Sequence, residues 1–333
     1  MKQSSEYDDH VLNYNLSSSV SNGTPVWNWL INDSTKEAVH LFYKNSIKGR
    51  NTSYPYFSGD TARSFADLVF DETTDILGWR RSIQKMSAGA IVFLKTDYMK
   101  EFFTLFDKIK VPFVLITHNS DKSAPGIYKT FLSNTKLLAW FSQNPDTIHP
   151  KLHPMPIGIS NNRWMSKNIN VIALSFNKYR RPFADRQNLL YVNFKPLTNR
   201  DARIKVLEYA KKIPNAHIVK RAPLSKYLED LGNSKFVLSP SGNGIDCHRT
   251  WEALLMGAVP IIMKSTLDPL FKNIPAIVIQ SWTEVTEKYL LSFNFNHFDN
   301  TTASILFAKY WYLRLLSFTN RTYPLEPRLT IVD

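Results

Sequence analysis

The segment SKFVLSPSGNGIDCHRTWEALLMGAVPII, Ser234 to Ile262, decides how this chain is read. KFVLSP (235–240) is a short apolar run bounded by polar residues, which predicts a buried strand. SGNG (241–244) brings two glycines, so the backbone can bend tightly and approach a ligand closely. CHRTWEALLMG (247–257) predicts a helix, with Asp246 as its N-cap and Gly257 in the C-terminal stop position. Trp251, Leu254 and Leu255 fall on the side that faces a core, while Arg249 and Glu252 share another face. VPIIM (259–263) predicts the next strand. Strand, glycine turn, helix and strand make a unit of a parallel, helix-covered sheet. In such sheets ligands bind beyond the carboxyl ends of the strands, where a helix start favours an anion.

The same rhythm extends to both sides. Downstream and upstream in the second half, strands are predicted at 189–194, 216–221 and 276–280, and helices at 199–213, 224–234, 283–293 and 302–318. In the first half, strands are predicted at 90–94, 111–117 and 137–144, a helix at 98–109, and a Pro/Gly-rich loop at 153–164. A short helix is predicted within SGDTARSFADLVFDETT (58–74), and another from about Thr35, capped by Ser34. The basic, proline-containing stretch 165–188 predicts a domain boundary near 175–188. The expected organisation is a flexible segment 1–25, an α/β domain 26–180, a second α/β domain 186–300, and a helical segment 301–333. The fold class is α/β, with two doubly wound Rossmann-like domains facing a cleft.

The charge is +13 over 333 residues and is spread evenly. Residues 1–180 carry 21 basic and 15 acidic groups, and residues 181–333 carry 20 and 13. A nucleic-acid binder concentrates its charge on one face or tail, so nucleic acid is not the expected partner. The spread suits phosphates and nucleotide sugars, and leaves open a peripheral association with an anionic membrane. No apolar run approaches the ~18 residues that span a bilayer, and the first residues lack the apolar core of a signal peptide. The one cysteine, Cys247, excludes an internal disulfide framework and a cysteine-rich zinc site. That fits the cytoplasm. Six Asn-x-Ser/Thr sites, at Asn15, Asn22, Asn32, Asn51, Asn300 and Asn320, keep a secretory lumen as the alternative, with this chain as the catalytic domain of an anchored Golgi or ER enzyme. There is no Walker motif, no third glycine after Gly242-Asn-Gly244, and no Asp-x-Asp pair for a metal-held nucleotide.

The segment from Ser234 to Ile262 resembles the donor-binding half of exostosin-like glycosyltransferases and related two-domain GT-B enzymes. Ser239, Gly242, Arg249, Glu252, Ala253, Gly257 and Pro260 match that family's pattern in kind. LLYVNFKPLTNRDAR (189–203) resembles the strand, loop and arginine that enter such a donor domain. The resemblance covers roughly 188–290; before it, only PFVLITHNSD and WFSQN with MPIGI look like an acceptor-side domain. The family is often Golgi-anchored and carries several cysteines, and this chain departs from both. The resemblance implies metal-independent transfer of a sugar from a UDP- or GDP-sugar on the second domain to a hydroxyl of a glycan or glycoconjugate on the first, with no further cofactor. It also implies a C-terminal helix that crosses back to the first domain. A nucleotide- or sugar-binding protein of the same fold without turnover is the alternative.

Such a transfer needs positive charge on the leaving diphosphate and, if it inverts, a base for the acceptor hydroxyl. Arg249 leads the candidates for the leaving group, followed by Arg200, Arg203 and Lys220. Asn243 and the amides of Gly242 and Gly244 are placed to touch phosphate oxygens, with Ser239 and Asp246 beside them, and Glu252 suits a ribose diol. The base candidates follow first-domain strands: His118 and Asp121 after FVLI, and Asp97 after AIVFL, with Asp60 in the preceding SGD turn.

Overall fold

Apolar runs without polar alternation belong to strands buried on both faces. The computed structural model describes residues 13–15, 50–161, 169–299 and 301–321. Its first part contains β1 (Asn13–Asn15), α1 (Gly59–Ser64), β2 (Leu68–Phe70), α2 (Ile76–Gln84), β3 (Ala90–Lys95), α3 (Met99–Thr104), β4 (Phe113–His118), β5 (Leu137–Ser142) and β6 (Leu152–Pro154). It continues with α4 (Ile169–Tyr179), β7 (Asn188–Val192), α5 (Arg200–Ala210), β8 (Ala216–Ile218), α6 (Leu224–Gly232), β9 (Ser234–Leu238) and α7 (His248–Leu255). The last elements are β10 (Val259–Met263), β11 (Ile277–Ile279), α8 (Glu287–Leu291), β12 (Thr301–Ala303) and α9 (Ala308–Leu316).

Two compact units result. The first comprises 50–155, 160–161 and 307–321. Its five strands are all parallel and run β2-β3-β4-β5-β6, in chain order. Right-handed crossovers then put every connection on one face. There Trp79, Ile83, Phe102, Phe103 and Leu132 pack against Val92, Leu94, Phe113, Leu115 and Trp140. The opposite face is closed by α1 and α9. Trp311, fully buried, lies 5.3 Å from the Phe57 ring and 6.4 Å from Phe141 of β5.

The second unit comprises 13–15, 156–159, 169–299 and 301–306. Its parallel sheet runs β11-β10-β9-β7-β8. The chain goes outward from β7 to β8, then passes back over β7 to β9. That reversal puts α5 on one face and α6 and α7 on the other. Val206 and Ala210 of α5 pack on Leu190, Val192, Phe236, Leu238 and Ile261, while α4 packs on α6. β1 pairs antiparallel with β12.

Both units are α/β with parallel sheets, as the sequence predicts. Details differ. The stretch 165–188 is not a plain linker: α4 occupies Ile169–Tyr179 and belongs to the second unit, and the described chain changes units after Met155 and again after Ile159. The predicted helix 98–109 ends at Thr104 and continues as a tighter turn, Phe106–Lys108. The predicted helix 302–318 divides into β12, a 3-10 turn and α9, and the return to the first unit falls at Phe307. Within the segment 1–25, residues 13–15 form a strand; the rest of it, and the helix from Thr35, lie outside the described residues.

Candidate functional site

The strand order of the second unit reverses between β7 and β9, and the loops beyond their carboxyl ends diverge there, the position at which such sheets bind ligands. Residues 193–199 form one loop and 239–247 the other. Asn199 stitches them together. Its Oδ1 accepts from Ala202 N at 3.2 Å, capping α5, and its Nδ2 donates to Gly242 O at 2.9 Å. Arg203, 5% exposed, is spent on the same stitching: it donates to Ser241 O at 2.8 Å and Lys195 O at 3.1 Å, with Pro240 O at 3.4 Å. The sequence proposes Arg203 as a diphosphate ligand, but three loose carbonyls beyond two strands need donors, and its guanidinium meets that need. A Cβ on Gly242 would come to 3.1 Å from Arg203 Nη2, so any side chain here would press on that guanidinium.

Arg249 is placed differently. It sits in the first turn of α7, where the helix dipole adds positive potential. Its Nε donates to Asn193 O at 2.7 Å, which aims the guanidinium across the end of β7. Its Nη1 is buried and has no hydrogen-bond partner among the described residues. Phe194 carries both cations: the Arg203 and Arg249 guanidinium carbons lie 5.7 and 5.5 Å from its ring centre. A buried cation with an idle N–H is costly unless a ligand completes it.

Asp246 does not cap α7. The cap position is Cys247, with no side-chain cap bond. Asp246 instead gathers three donors: Ile157 N at 2.7 Å, Cys247 N at 2.7 Å, and Trp251 Nε1 at 2.9 and 2.8 Å from its two oxygens. It thereby holds the 156–159 segment to α7, helped by His248, whose Nδ1 donates to Gly158 O at 2.8 Å. Burial pushes the Asp246 carboxyl up to about 7, against the N–H donors that favour its anion. The folded state therefore keeps a proton that the unfolded chain has lost above its ordinary value of 3.8. Stability from this group is greatest at low pH and falls as pH rises toward 7. We expect Asp246→Asn to lower stability overall yet to show a flatter dependence of the urea midpoint between pH 5 and pH 7.5. An unchanged slope would show that Asp246 does not titrate there.

Glu252 is 3% exposed and accepts from the Tyr227 hydroxyl at 2.8 Å; burial first, and the Glu252 charge second, drive the Tyr227 hydroxyl far up. Cys247 is also pushed up by burial, though Arg249 and Arg203 pull the other way, so it stays a thiol. Ser239 Oγ lies 2.8 Å from Thr250 Oγ1, tying β9 to α7. Arg200, Lys220 and Asn243 are exposed around these loops, and Gly244 is buried in the turn. Asn193, Phe194 and Asn199 are the site residues that sequence reasoning missed. Only Asn199, a cap residue directly before a helix, left a readable signal.

In the first unit the candidates fall together at the ends of β3 and β4. His118 is fully buried, and its Nδ1 accepts from Asn119 N at 2.8 Å. Asp60, Asn119 and Asn161 close a ring: Asp60 N donates to Asn161 Oδ1 (2.7 Å), Asn161 Nδ2 to Asn119 Oδ1 (3.2 Å), and Asn119 Nδ2 to Asp60 Oδ1 (3.0 Å). Asp121 and Asp97 are exposed, and Asp97 lies 3.4 Å from Lys122 Nζ. With its Nδ1 lone pair engaged, His118 holds the loop; the exposed carboxylates are the ones that solvent-borne groups can reach. Among the described residues, no group of His, Cys, Asp or Glu is arranged to hold a metal, and no helix is long and apolar enough to cross a membrane.

Fold and site together define a two-unit α/β protein with two arginines gathered at one switch point. No family profile and no curated protein matches the sequence. Among solved structures, the chain is similar to UDP-GlcNAc 2-epimerase from Methanocaldococcus jannaschii, at TM-score 0.38 and 12% identity, over 84% of this chain and 89% of that one. A second structure of that enzyme, in complex with UDP-GlcNAc and UDP, gives TM-score 0.34 and 14% identity over 81% and 83%. Likeness this loose assigns no ligand to this chain.

Proposed function

We propose that the second unit binds a nucleoside diphosphate sugar, such as a UDP- or GDP-sugar, and that the protein is an exostosin-like GT-B glycosyltransferase delivering the sugar to a hydroxyl of a glycan or glycoconjugate. The observation that carries this is the idle, buried Nη1 of Arg249 at the switch point. Arg249 pairs with the diphosphate and steadies its charge as the sugar leaves. The amides around Gly242 and Gly244, with Asn243, Arg200 and Lys220, surround the phosphates. Glu252, oriented by Tyr227, takes the ribose. Arg203, Ser239 and Asp246 hold the loops in shape. If the transfer inverts, Asp121 or Asp97 of the first unit takes the acceptor proton.

The test is thermal shift and calorimetry with UDP, GDP and CMP, with and without EDTA. We expect stabilisation by one nucleotide, insensitive to EDTA, and a ~10–100-fold weaker Kd in Arg249→Ala, the worth of one charge-assisted hydrogen-bonded contact. Release of free nucleotide from the matching nucleotide sugar only when a hydroxyl acceptor is present marks a transferase. Binding without release marks the non-catalytic alternative. No shift with any nucleotide overturns the site.

A further inference from the structure

Two buried tyrosines lie side by side in the second unit. Tyr191 of β7 is fully buried, Tyr227 of α6 is 9% exposed, and their ring centres are 6.3 Å apart. A phenylalanine would fill either space without a hydroxyl to satisfy. Tyr227 gives its hydroxyl proton to Glu252. The Tyr191 hydroxyl serves a different residue.

β7 ends at Val192, so the backbone of Asn193 has left the strand. Its carbonyl is nevertheless the acceptor that takes Arg249 Nε at 2.7 Å. The side chain of the same residue supplies the anchor that the sheet does not. Residues two apart on an extended chain face the same side, and Asn193 Nδ2 donates back to the Tyr191 hydroxyl at 2.9 Å. The Tyr191 hydroxyl is held in turn. Its own proton goes to Asp230 of α6, a carboxylate 4% exposed that also pairs with Lys226 at 3.0 Å and lies 3.5 Å from His217 Nε2. The His217 ring stacks on the Tyr191 ring at 5.6 Å. Burial first, and the Asp230 charge second, raise the phenol above its ordinary 10.0, so it stays protonated. Each bond then has one direction. Arg249 donates to Asn193, Asn193 donates to Tyr191, and Tyr191 donates to Asp230. The line starts at the guanidinium on α7, crosses the end of β7 and finishes on α6.

We propose that Tyr191 is a positioning residue for Arg249: through Asn193 it sets the direction in which the guanidinium presents its idle Nη1. Its side chain is fully buried, so it acts through Arg249 and not by touching a ligand. Its effect on affinity rests on the diphosphate reading; its effect on the aim of Arg249 rests on the hydrogen bonds alone.

The experiment uses the full chain, with UDP and GDP as probes. The Arg249 Nε–H signal is assigned in arginine side-chain NMR spectra by its loss in Arg249→Lys. Tyr191→Phe keeps the ring and removes the hydroxyl; Asn193→Ala removes the amide and keeps the carbonyl. Without ligand, each variant is expected to shift or broaden the Arg249 signal. Each is also expected to weaken the bound nucleotide about 3–10-fold, the range of one hydrogen bond. The double variant is expected to be no weaker than the single ones, because both cut one line. In an Arg249→Ala background, Tyr191→Phe is expected to change affinity by less than about twofold, whereas a purely structural role would weaken binding in both backgrounds. An Arg249 signal unmoved in both variants, or an equal loss of affinity with and without Arg249, overturns the inference. If neither nucleotide binds the wild type, the proposed function falls, and the Arg249 signal then decides this inference by itself.

Discussion

Replacing Gly257 with alanine is expected to remove about 2–5 kcal/mol of stability, the sum of a left-handed backbone penalty and overpacking against fixed neighbours. Gly257 ends α7 at φ +75°, with Ala258 N donating to Ala253 O at 2.9 Å, the closing bond of a glycine C-terminal stop. A Cβ there would lie 2.6 Å from Arg186 Nη2 and 3.0 Å from Arg180 Nε. Neither side chain can retreat. Arg186 is 4% exposed and donates to Ser234 O at 3.0 Å, Met256 O at 3.2 Å and Arg181 O at 3.0 Å, and Arg180 Nη1 donates to Thr302 Oγ1 at 2.7 Å. Burial pushes both guanidiniums down to about 10, so any rearrangement must keep two desolvated cations satisfied. Gly126→Ala is the matched control. Its φ is +56°, but the nearest atom to a Cβ is Asp146 Oδ2 at 3.9 Å, so it carries only the backbone cost of about 1–2 kcal/mol. Denaturant unfolding of the two variants should separate them clearly. Equal midpoints would show that the Arg180–Arg186 pair does not resist the methyl group.

The second large effect is expected at Asp71. Its carboxylate is fully buried at the end of β2, 2.7 Å from Arg63 Nε and 3.4 Å from Arg50 Nη1, and it accepts from Thr73 N at 2.9 Å and Thr73 Oγ1 at 2.6 Å. Removing one partner of a buried pair strands the other, so Asp71→Ala is expected to cost about 3–5 kcal/mol. Burial by itself would raise this carboxyl, but the hydrogen bonds from Arg63 and Thr73 outweigh it and hold the group below its ordinary 3.8. The sign is therefore opposite to that at Asp246. Stability from Asp71 is fully present above about pH 4 and is lost as pH falls through the lower folded value. Wild type should lose urea resistance steeply below pH 4, and Asp71→Asn should lose much less. Parallel pH curves would argue that the pair is not ionised in the fold.

The parallel sheets were legible because AIVFL, FVLIT and LLAWFS are unbroken apolar runs, which only doubly covered strands need. β2 escaped because it is three residues long and sits between Asp67 and Asp71, and β6 because it contains a proline. α4 escaped behind basic residues and a proline that belong to its flanks. At the site, the glycine turn and the helix bearing Arg249 were readable from one continuous segment. The direction of an arginine was not. Arg203 and Arg249 look alike in sequence, and only the carbonyls of residues 195, 240 and 241 turn the first inward while Asn193 aims the second. His118 was readable as a strand-end polar residue, but every residue of β4 is buried, and that continues through the histidine.

The helix α9 has a temporal consequence. During synthesis, the first unit emerges long before the helix that seals its second face. Phe57 and Phe141 wait for Trp311 while residues 164–306 are being made, an interval of roughly 7–30 s at ordinary elongation rates. Through that interval one face of a five-stranded sheet has only α1 of its two covering helices. The second unit has its strands, helices and switch-point loops complete before the first can close, so the nascent chain finishes what begins later and returns last to what began first.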